Sequence, residues 1–179
     1  MMNLSENIII ENATEYDRQY KDMDTENEIK SKLTKQDYLT LDDFKRIGRW
    51  KSKRPTKHYI SNSEDLVREV SRIGFTTANE ELKIRIFTLL KGCSYPVASV
   101  ILHFKFPDLY PIIDFRALWS LRGTEQPITY NYELWQGYVD EIRAKAKEFK
   151  VTIRTLDKAL WMYSEKHQGK DSALIAGKF

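Results

Sequence analysis

An aspartate, Asp114, stands directly ahead of an apolar run in the stretch PIIDFRALWSL, and this position allows two roles. A carboxylate placed there can do acid–base work in an enzyme. It can equally accept a hydrogen bond from the N–H group of Arg116 or Ala117 and cap the helix that follows, because the positive end of a helix dipole favours an anion. The two roles are compatible, and the sequence leaves both open.

A glycine turn lies upstream of that aspartate, between two apolar helical patterns in LLKGCSYPVASVIL. The residues Gly92–Tyr95 join the two helices, so backbone N–H groups and the N-terminus of the second helix are expected to point the same way. Glycine lets a ligand approach the backbone closely, and Lys91 adds a positive charge beside it. The turn is therefore suited to one phosphate, and an ordinary helical hairpin without a ligand is the alternative.

Positive charge is concentrated in residues 43–58, although the whole chain of 179 residues has a formal net charge of only +3. Asp43 is the one acidic residue there, Trp50 lies among the bases, and the basic residues are Lys45, Arg46, Arg49, Lys51, Lys53, Arg54 and Lys57. Such a segment attracts phosphate and releases counterions, although a solvated helix face explains it equally well. Residues 1–30 are acidic instead, and the sequence does not decide whether they mimic DNA or form a solvated helix.

The hydrophobic period of the chain is mainly helical, and strand-like alternation is nearly absent. Helix starts are predicted at Thr40 with Asp43, at Ser63 and at Asn79, whereas Gly74 and Gly92 are expected to end helices. Three stripes are predicted to be buried: Leu41, Phe44 and Ile47; Leu66, Val67, Val70 and Ile73; Leu82, Ile86, Leu89 and Leu90. Pro96 begins another helix, Asp114 begins a short one, and two longer helices are predicted over about 130–150 and 152–167. The predicted fold class is all-α.

The glycine turn also resembles a known element. The run LLKGCSYPVASVIL is similar to the helix-hairpin-helix of the DNA glycosylase superfamily that includes endonuclease III, with Gly92, Cys93 and Ala98 at matching positions. In that family a catalytic aspartate lies eighteen residues after a hairpin position that holds a lysine in the bifunctional members. Pro96 occupies that position here, and Asp114 lies eighteen residues later.

Other positions of the chain match the family's pattern only in part. Arg116 stands two residues after the aspartate, where the family has a histidine or arginine, and LDKALWMYS is similar to the helix that closes the family's domain. Ser94 replaces the second hairpin glycine, although a serine there can cap the next helix. Trp119 stands where the family usually has an arginine, and the cluster-binding cysteines of some members are missing.

The resemblance implies a compact all-α domain with a helix-hairpin-helix element and two helical lobes flanking a cleft. Residues 36–179 are expected to form this glycosylase-like domain, with the acidic segment 1–35 partly helical and packed on it. The implied activity is that of a monofunctional DNA glycosylase, which turns a damaged base out of the DNA stack and releases it. Asp114 would stabilise positive charge at the anomeric carbon and orient or deprotonate the attacking water. Pro96 has no amine, so strand-cleaving lyase chemistry from that position is excluded.

The expected partner is duplex DNA, without a metal or other cofactor. The residues expected to contact it are Lys91, Gly92, Cys93, Ser94, Tyr95, Arg116, Arg49, Lys51, Lys53 and Arg54. Two alternatives stay open: a helix-hairpin-helix DNA-binding or interaction module that has lost the chemistry, and a helical protein unrelated to nucleic acid. A binding assay and a base-release assay distinguish all three.

The histidines, the cysteine and the aromatic residues give little indication of a chemical role. The three histidines, His58, His103 and His167, have no ligand-like spacing for zinc. The single cysteine, Cys93, excludes an internal disulfide and is interpreted as the apolar residue of the hairpin. Aromatic residues that could form a base-stacking wall, but are more often core, are Tyr95, Tyr110, Trp119, Tyr130, Tyr132 and Trp135. No apolar run approaches the roughly 20 residues of a membrane span, so a soluble, cytoplasmic protein without a membrane partner is expected.

Overall fold

The computed structural model describes residues 2–20, 23–123 and 127–168, without the side chains of residues 23 and 24. Within these ranges all regular structure is helical, which confirms the all-α prediction. The described residues divide into two units, one of residues 23–110 and the other of residues 2–20, 111–123 and 127–168. No helix in these ranges has both the length and the apolar character that crossing a membrane requires.

The unit of residues 23–110 is built around one helix whose middle is fully buried. Its elements are α2 (Met23–Leu33), α3 (Leu41–Lys51), α4 (Thr56–Tyr59), α5 (Glu64–Thr76), α6 (Glu80–Arg85) with a 3₁₀ continuation (Ile86–Leu89), and α7 (Tyr95–Lys105). Every residue of α7 from Val97 to Phe104 is buried, and α2, α3 and α6 all pack against this helix. Because the apolar side chains of α7 are covered on every side, this helix holds its N-terminal turn in a defined place.

The other unit is organised around the last described helix. Its elements are α1 (Glu6–Gln19), α8 (Phe115–Arg122), α9 (Tyr132–Glu148) and α10 (Ile153–His167). Helices α1, α8 and α9 all pack against α10. The ring of Trp161 on α10 makes edge-to-face contacts with Tyr16 and Tyr20, whose centroids lie 5.5 and 4.9 Å away. These contacts join α1 and α10 in one core.

The predicted helix starts are confirmed. Thr40 accepts from the N–H of Asp43 and the Asp43 carboxylate accepts in return from the N–H of Thr40, which is a capping box. Ser63 caps α5, and Asn79 caps α6 with a bond of 2.8 Å from the N–H of Leu82. Each of these bonds spans three residues, so it can be predicted from local sequence alone.

The prediction that Gly74 ends a helix is wrong. Helix α5 continues through Gly74 to Thr76, because this glycine serves packing rather than termination. A Cβ atom at residue 74 would lie 2.6 Å from ring atoms of Phe87, so only glycine allows the two segments to pack this closely.

The predicted buried stripes are wrong at four leucine and isoleucine positions. The exposed fractions of Leu66, Ile73, Leu82 and Leu89 are 40%, 38%, 42% and 63%. The cause near the glycine turn is the 3₁₀ segment, which winds at three residues per turn rather than 3.6 and so rotates Phe87 into the core and Leu89 out of it. It also ends at Leu89, ahead of the predicted end at Gly92.

Asp43, in the unit of residues 23–110, is a buried acid that forms an ion pair with Lys32. Its side chain is 1% exposed, and its oxygens accept from Lys32 Nζ at 2.6 and 2.8 Å and from Thr40 Oγ1 at 2.7 Å. Burial opposes ionisation, but the hydrogen bonds from Lys32 and Thr40 and the charge of Lys32 outweigh it, so the pKa of Asp43 lies below its usual value. This carboxylate therefore joins the last turn of α2 to the start of α3.

Replacing Asp43 with Asn is expected to lower the free energy of unfolding by about 1–3 kcal/mol at neutral pH. A lowered pKa in the folded state contributes stability above the unfolded pKa of about 3.9, and that contribution is lost as the pH falls through the folded pKa. Urea unfolding should therefore show that wild type and Asp43→Asn differ in free energy of unfolding at neutral pH, and that this difference shrinks at acidic pH. Asp42→Asn, at an exposed neighbour, should change stability by no more than about 0.5 kcal/mol. A pH-independent difference for Asp43→Asn would exclude this role.

Candidate nucleic-acid interface

The turn between the 3₁₀ segment and α7 has a backbone conformation that requires glycine. Gly92 has φ 85°, in the left-handed region that side chains disfavour. A Cβ atom there would also lie 2.9 Å from a ring atom of Tyr59 and 3.0 Å from Cβ of His58. The turn is thus both conformationally specified and packed directly on α4.

Two backbone donors of this turn have no acceptor among the described residues. The N–H of Cys93 donates to the carbonyl of Leu90 at 3.0 Å, whereas no group of the described residues accepts from the N–H of Gly92 or Ser94. The suggestion that Ser94 caps α7 is wrong, because its side chain makes no capping bond. The first turn of α7 also contains no acidic residue, so neither a cap nor a carboxylate offsets the positive end of this helix.

Side chains of the turn differ in accessibility. Lys91 is exposed, Tyr95 is partly exposed, and Cys93 is only 7% exposed. Burial raises the pKa of the Cys93 thiol, which keeps it protonated. Cys93 is therefore an apolar packing residue, and its backbone N–H is already used by the carbonyl of Leu90.

The basic segment divides into a neutralised part and an exposed part. Arg46 makes two bonds to Glu28, at 2.7 and 3.1 Å, and Lys45 lies 3.6 Å from Asp42. Further along, Arg49 is exposed on the last turn of α3, and Lys51, the last residue of that helix, is partly exposed. Three more bases are exposed and have no ion pair within the described part of the chain: Lys53, Arg54 and Lys57.

One aromatic ring joins this exposed part to the glycine turn. Tyr59 is buried, and its ring lies between two glycines: a Cβ at Gly48 on α3 would be 2.7 Å from it, and one at Gly92 would be 2.9 Å from it. The Tyr59 hydroxyl donates to the carbonyl of Ser52 at 3.3 Å, and burial raises the pKa of Tyr59 to about 12. The end of α3, the segment after it and the turn therefore all contact the same side chain.

A second side chain ties α4 to the turn through hydrogen bonds. The Oδ1 atom of Asn62 accepts from the N–H of Lys91 at 2.8 Å. Its Nδ2 atom lies 3.0, 3.0 and 3.1 Å from the carbonyl oxygens of His58, Tyr59 and Lys91. We call the exposed side chains of Lys53, Arg54, Lys57 and Lys91, with the N–H groups of Gly92 and Ser94, the basic turn surface.

Asp114 and Arg116 lie in the other unit, at the start of α8. Asp114 caps this helix, because its Oδ1 atom accepts from the N–H of Arg116 at 2.9 Å, and the aspartate remains partly exposed. The Arg116 guanidinium lies 2.6 Å from the carboxylate of Glu165 and stacks over Trp161 at 5.0 Å. The capping role of Asp114 is thus confirmed, and the charge of Arg116 is compensated within its own unit.

The backbone leading to Asp114 is held by buried groups. The N–H of Ile112 donates to the Asp157 carboxylate at 2.8 Å, and the Tyr138 hydroxyl lies 3.2 Å from the Ile112 carbonyl oxygen. Burial, and to a smaller extent the negative charge of Asp114, raises the pKa of Tyr130, a phenol that is partly exposed. The two bonds to Ile112 hold the backbone that leads to Asp114.

The remaining candidate side chains are placed by packing. Trp135 and Tyr110 are core residues, at 0% and 3% exposure, whereas four of the named aromatics stay partly exposed: Tyr95, Trp119, Tyr130 and Tyr132. His103 is fully buried between the carbonyl of Tyr110 at 2.7 Å and Lys30 Nζ at 3.0 Å. Across the described ranges, no three histidine, cysteine or acidic side chains are grouped to hold a metal ion.

Sequence reasoning missed the residues that assemble the surface. Tyr59 and Asn62 are a lone tyrosine and a lone asparagine in a short polar stretch, and no local pattern distinguishes them. Glu165, which pairs with Arg116, was likewise not identified. Comparisons of the chain with protein-family models, with curated proteins and with solved structures give no match.

Proposed function

We propose that this chain binds duplex DNA through the basic turn surface and that it is a base-excising, monofunctional DNA glycosylase. The observation that carries the proposal is the turn itself. Gly92 and Ser94 present N–H groups without an acceptor among the described residues, beside the uncapped N-terminus of α7 and the exposed Lys91. Backbone donors, a helix dipole and a lysine together suit a phosphate oxygen.

The neighbouring bases extend this site along a nucleic-acid backbone. Lys53, Arg54 and Lys57 follow α3 on the segment that packs on the turn through Tyr59. Several phosphates of one strand could then be neutralised, with release of condensed counterions, whatever the base sequence. Affinity from this surface would position the protein, and it would carry no base specificity.

Asp114 supplies the chemistry in this proposal. Its spacing from the turn resembles that of the glycosylase superfamily, and the residue is partly exposed. An ionised carboxylate stabilises positive charge that develops at the anomeric carbon and orients the attacking water. Its bond to the N–H of Arg116 is compatible with this role, because the cap holds the carboxylate in one orientation.

A DNA-binding module without catalysis is the second candidate, and one observation favours it. Arg116, which the resemblance places at the site, is bound to Glu165 and stacked on Trp161. An arginine held in this way has less capacity to contact a phosphate. In this alternative Asp114 is only the cap of α8.

The test is to incubate the protein with duplexes that carry a panel of damaged bases and then to treat them with alkali. Strand breaks at a lesion support the glycosylase, since release of a base leaves an alkali-labile site. Salt-sensitive binding without breaks on any lesion supports the module instead. If the chain does not bind duplex DNA even at low salt, both candidates fail.

A further inference from the structure

Asn62 bonds to the backbone on both sides of the interface between α4 and the glycine turn. Its side chain is 7% exposed, and it contacts both the N–H and the carbonyl of Lys91, 29 residues away. The orientation of the amide is unambiguous, because a flipped amide would face the N–H of Lys91 with a donor and three carbonyls with an oxygen. Asn62 thus acts as a clamp on the backbone of residue 91.

The bonds of Asn62 help to determine which N–H groups of the turn have an acceptor within the protein. Asn62 occupies the N–H of Lys91, and the carbonyl of Leu90 occupies the N–H of Cys93. The N–H groups of Gly92 and Ser94 alternate with these two along the chain and have no acceptor among the described residues. Holding residue 91 fixed therefore leaves alternate N–H groups available for one anion.

The clamp also joins the turn to the basic segment. The same Nδ2 atom reaches the carbonyls of His58 and Tyr59, which end α4. Lys57 and Lys91 therefore lie on two segments that both form hydrogen bonds with the buried side-chain amide of Asn62. If the amide is lost, the turn can move relative to α4 even while both segments stay folded.

We propose that Asn62 is a positioning residue for phosphate binding, which holds the turn in its binding conformation before a nucleic acid arrives. This inference rests on the proposed DNA binding and adds the residue that prepares the site. A preordered turn does not lose conformational entropy on binding, so the amide acts on affinity as well as on folding. A purely structural asparagine would act on folding alone.

The test compares Asn62→Ala with Asn12→Ala, which removes another buried asparagine amide in the other unit. Each folded variant is measured for thermal midpoint, for duplex affinity and for the dependence of affinity on salt. We expect Asn62→Ala to bind about tenfold or more weakly with a shallower salt dependence, because at least one phosphate contact is lost. Asn12→Ala should lower the midpoint and leave the affinity of the folded protein unchanged. Affinity and salt dependence of Asn62→Ala equal to wild type would overturn the inference and leave the proposed DNA binding intact.

Amide exchange on the wild-type protein tests the same idea without a variant. In the free protein the Lys91 N–H should exchange slowly and the N–H groups of Gly92 and Ser94 rapidly, and duplex DNA should slow the latter two. Exchange of the Lys91 N–H as fast as that of Gly92 would overturn the clamp. Slow exchange at Lys91 without any binding of DNA would instead refute the proposed function, and the positioning role with it.

Discussion

Replacing Lys53 and Lys91 with Glu should weaken binding to an undamaged duplex by about 100-fold at moderate salt. Both side chains are exposed on the basic turn surface, and each is expected to neutralise a phosphate. Loss of two contacts should also reduce the slope of log affinity against log salt by about two. Fluorescence anisotropy of a labelled duplex at several salt concentrations measures both quantities.

The matched control is the double variant Lys35→Glu with Lys147→Glu. These lysines are exposed elsewhere, and each double variant changes the formal net charge by the same four units, from +3 to −1. The control should lose only a few-fold in affinity, through the weaker overall field of the protein. Equal losses for both double variants would mean that binding depends on net charge and not on this surface.

Asp114→Asn should abolish base release, by about 1,000-fold or more, and leave duplex affinity within about a factor of two. Asparagine caps a helix as well as aspartate does, so α8 should keep its first turn and the thermal midpoint should change little. Single-turnover cleavage after alkali treatment, on whichever lesion the wild type processes, measures the effect.

Asp108→Asn is the control for this substitution. Asp108 is an exposed aspartate six residues earlier, and its replacement changes the formal charge by the same amount. Base release by this variant should equal that of wild type. If Asp114→Asn also released base at the wild-type rate, the carboxylate would have only its capping role.

Much of the fold could be predicted because its signals are local. The capping bonds of Thr40, Asn79 and Asp114 span two or three residues, so the side chain and the backbone it satisfies are neighbours in sequence. Burial of Leu89 was mispredicted because a helical period assumes 3.6 residues per turn, and nothing local indicates that the segment becomes a 3₁₀ turn.

The candidate site could be predicted only as separate pieces. The basic segment is visible in composition, and the turn is visible as a glycine between two apolar runs. Their meeting at Tyr59 depends on Gly48 and Gly92, which belong to different elements, and the Asn62 bond to Lys91 depends on tertiary packing. Pairing of Arg116 with Glu165 likewise arises between two helices, α8 and α10. Such contacts have no sequence pattern, so they appear only once the chain is folded.

The most direct test of the central claim is a salt titration of wild-type binding to an undamaged duplex. Neutralisation of about three or four phosphates by the basic turn surface predicts that affinity falls about 40- to 150-fold between about 50 and about 200 mM salt. A linear plot of log affinity against log salt with the corresponding slope would support the account. The absence of binding at the lowest salt, or an affinity that does not change with salt, would contradict it.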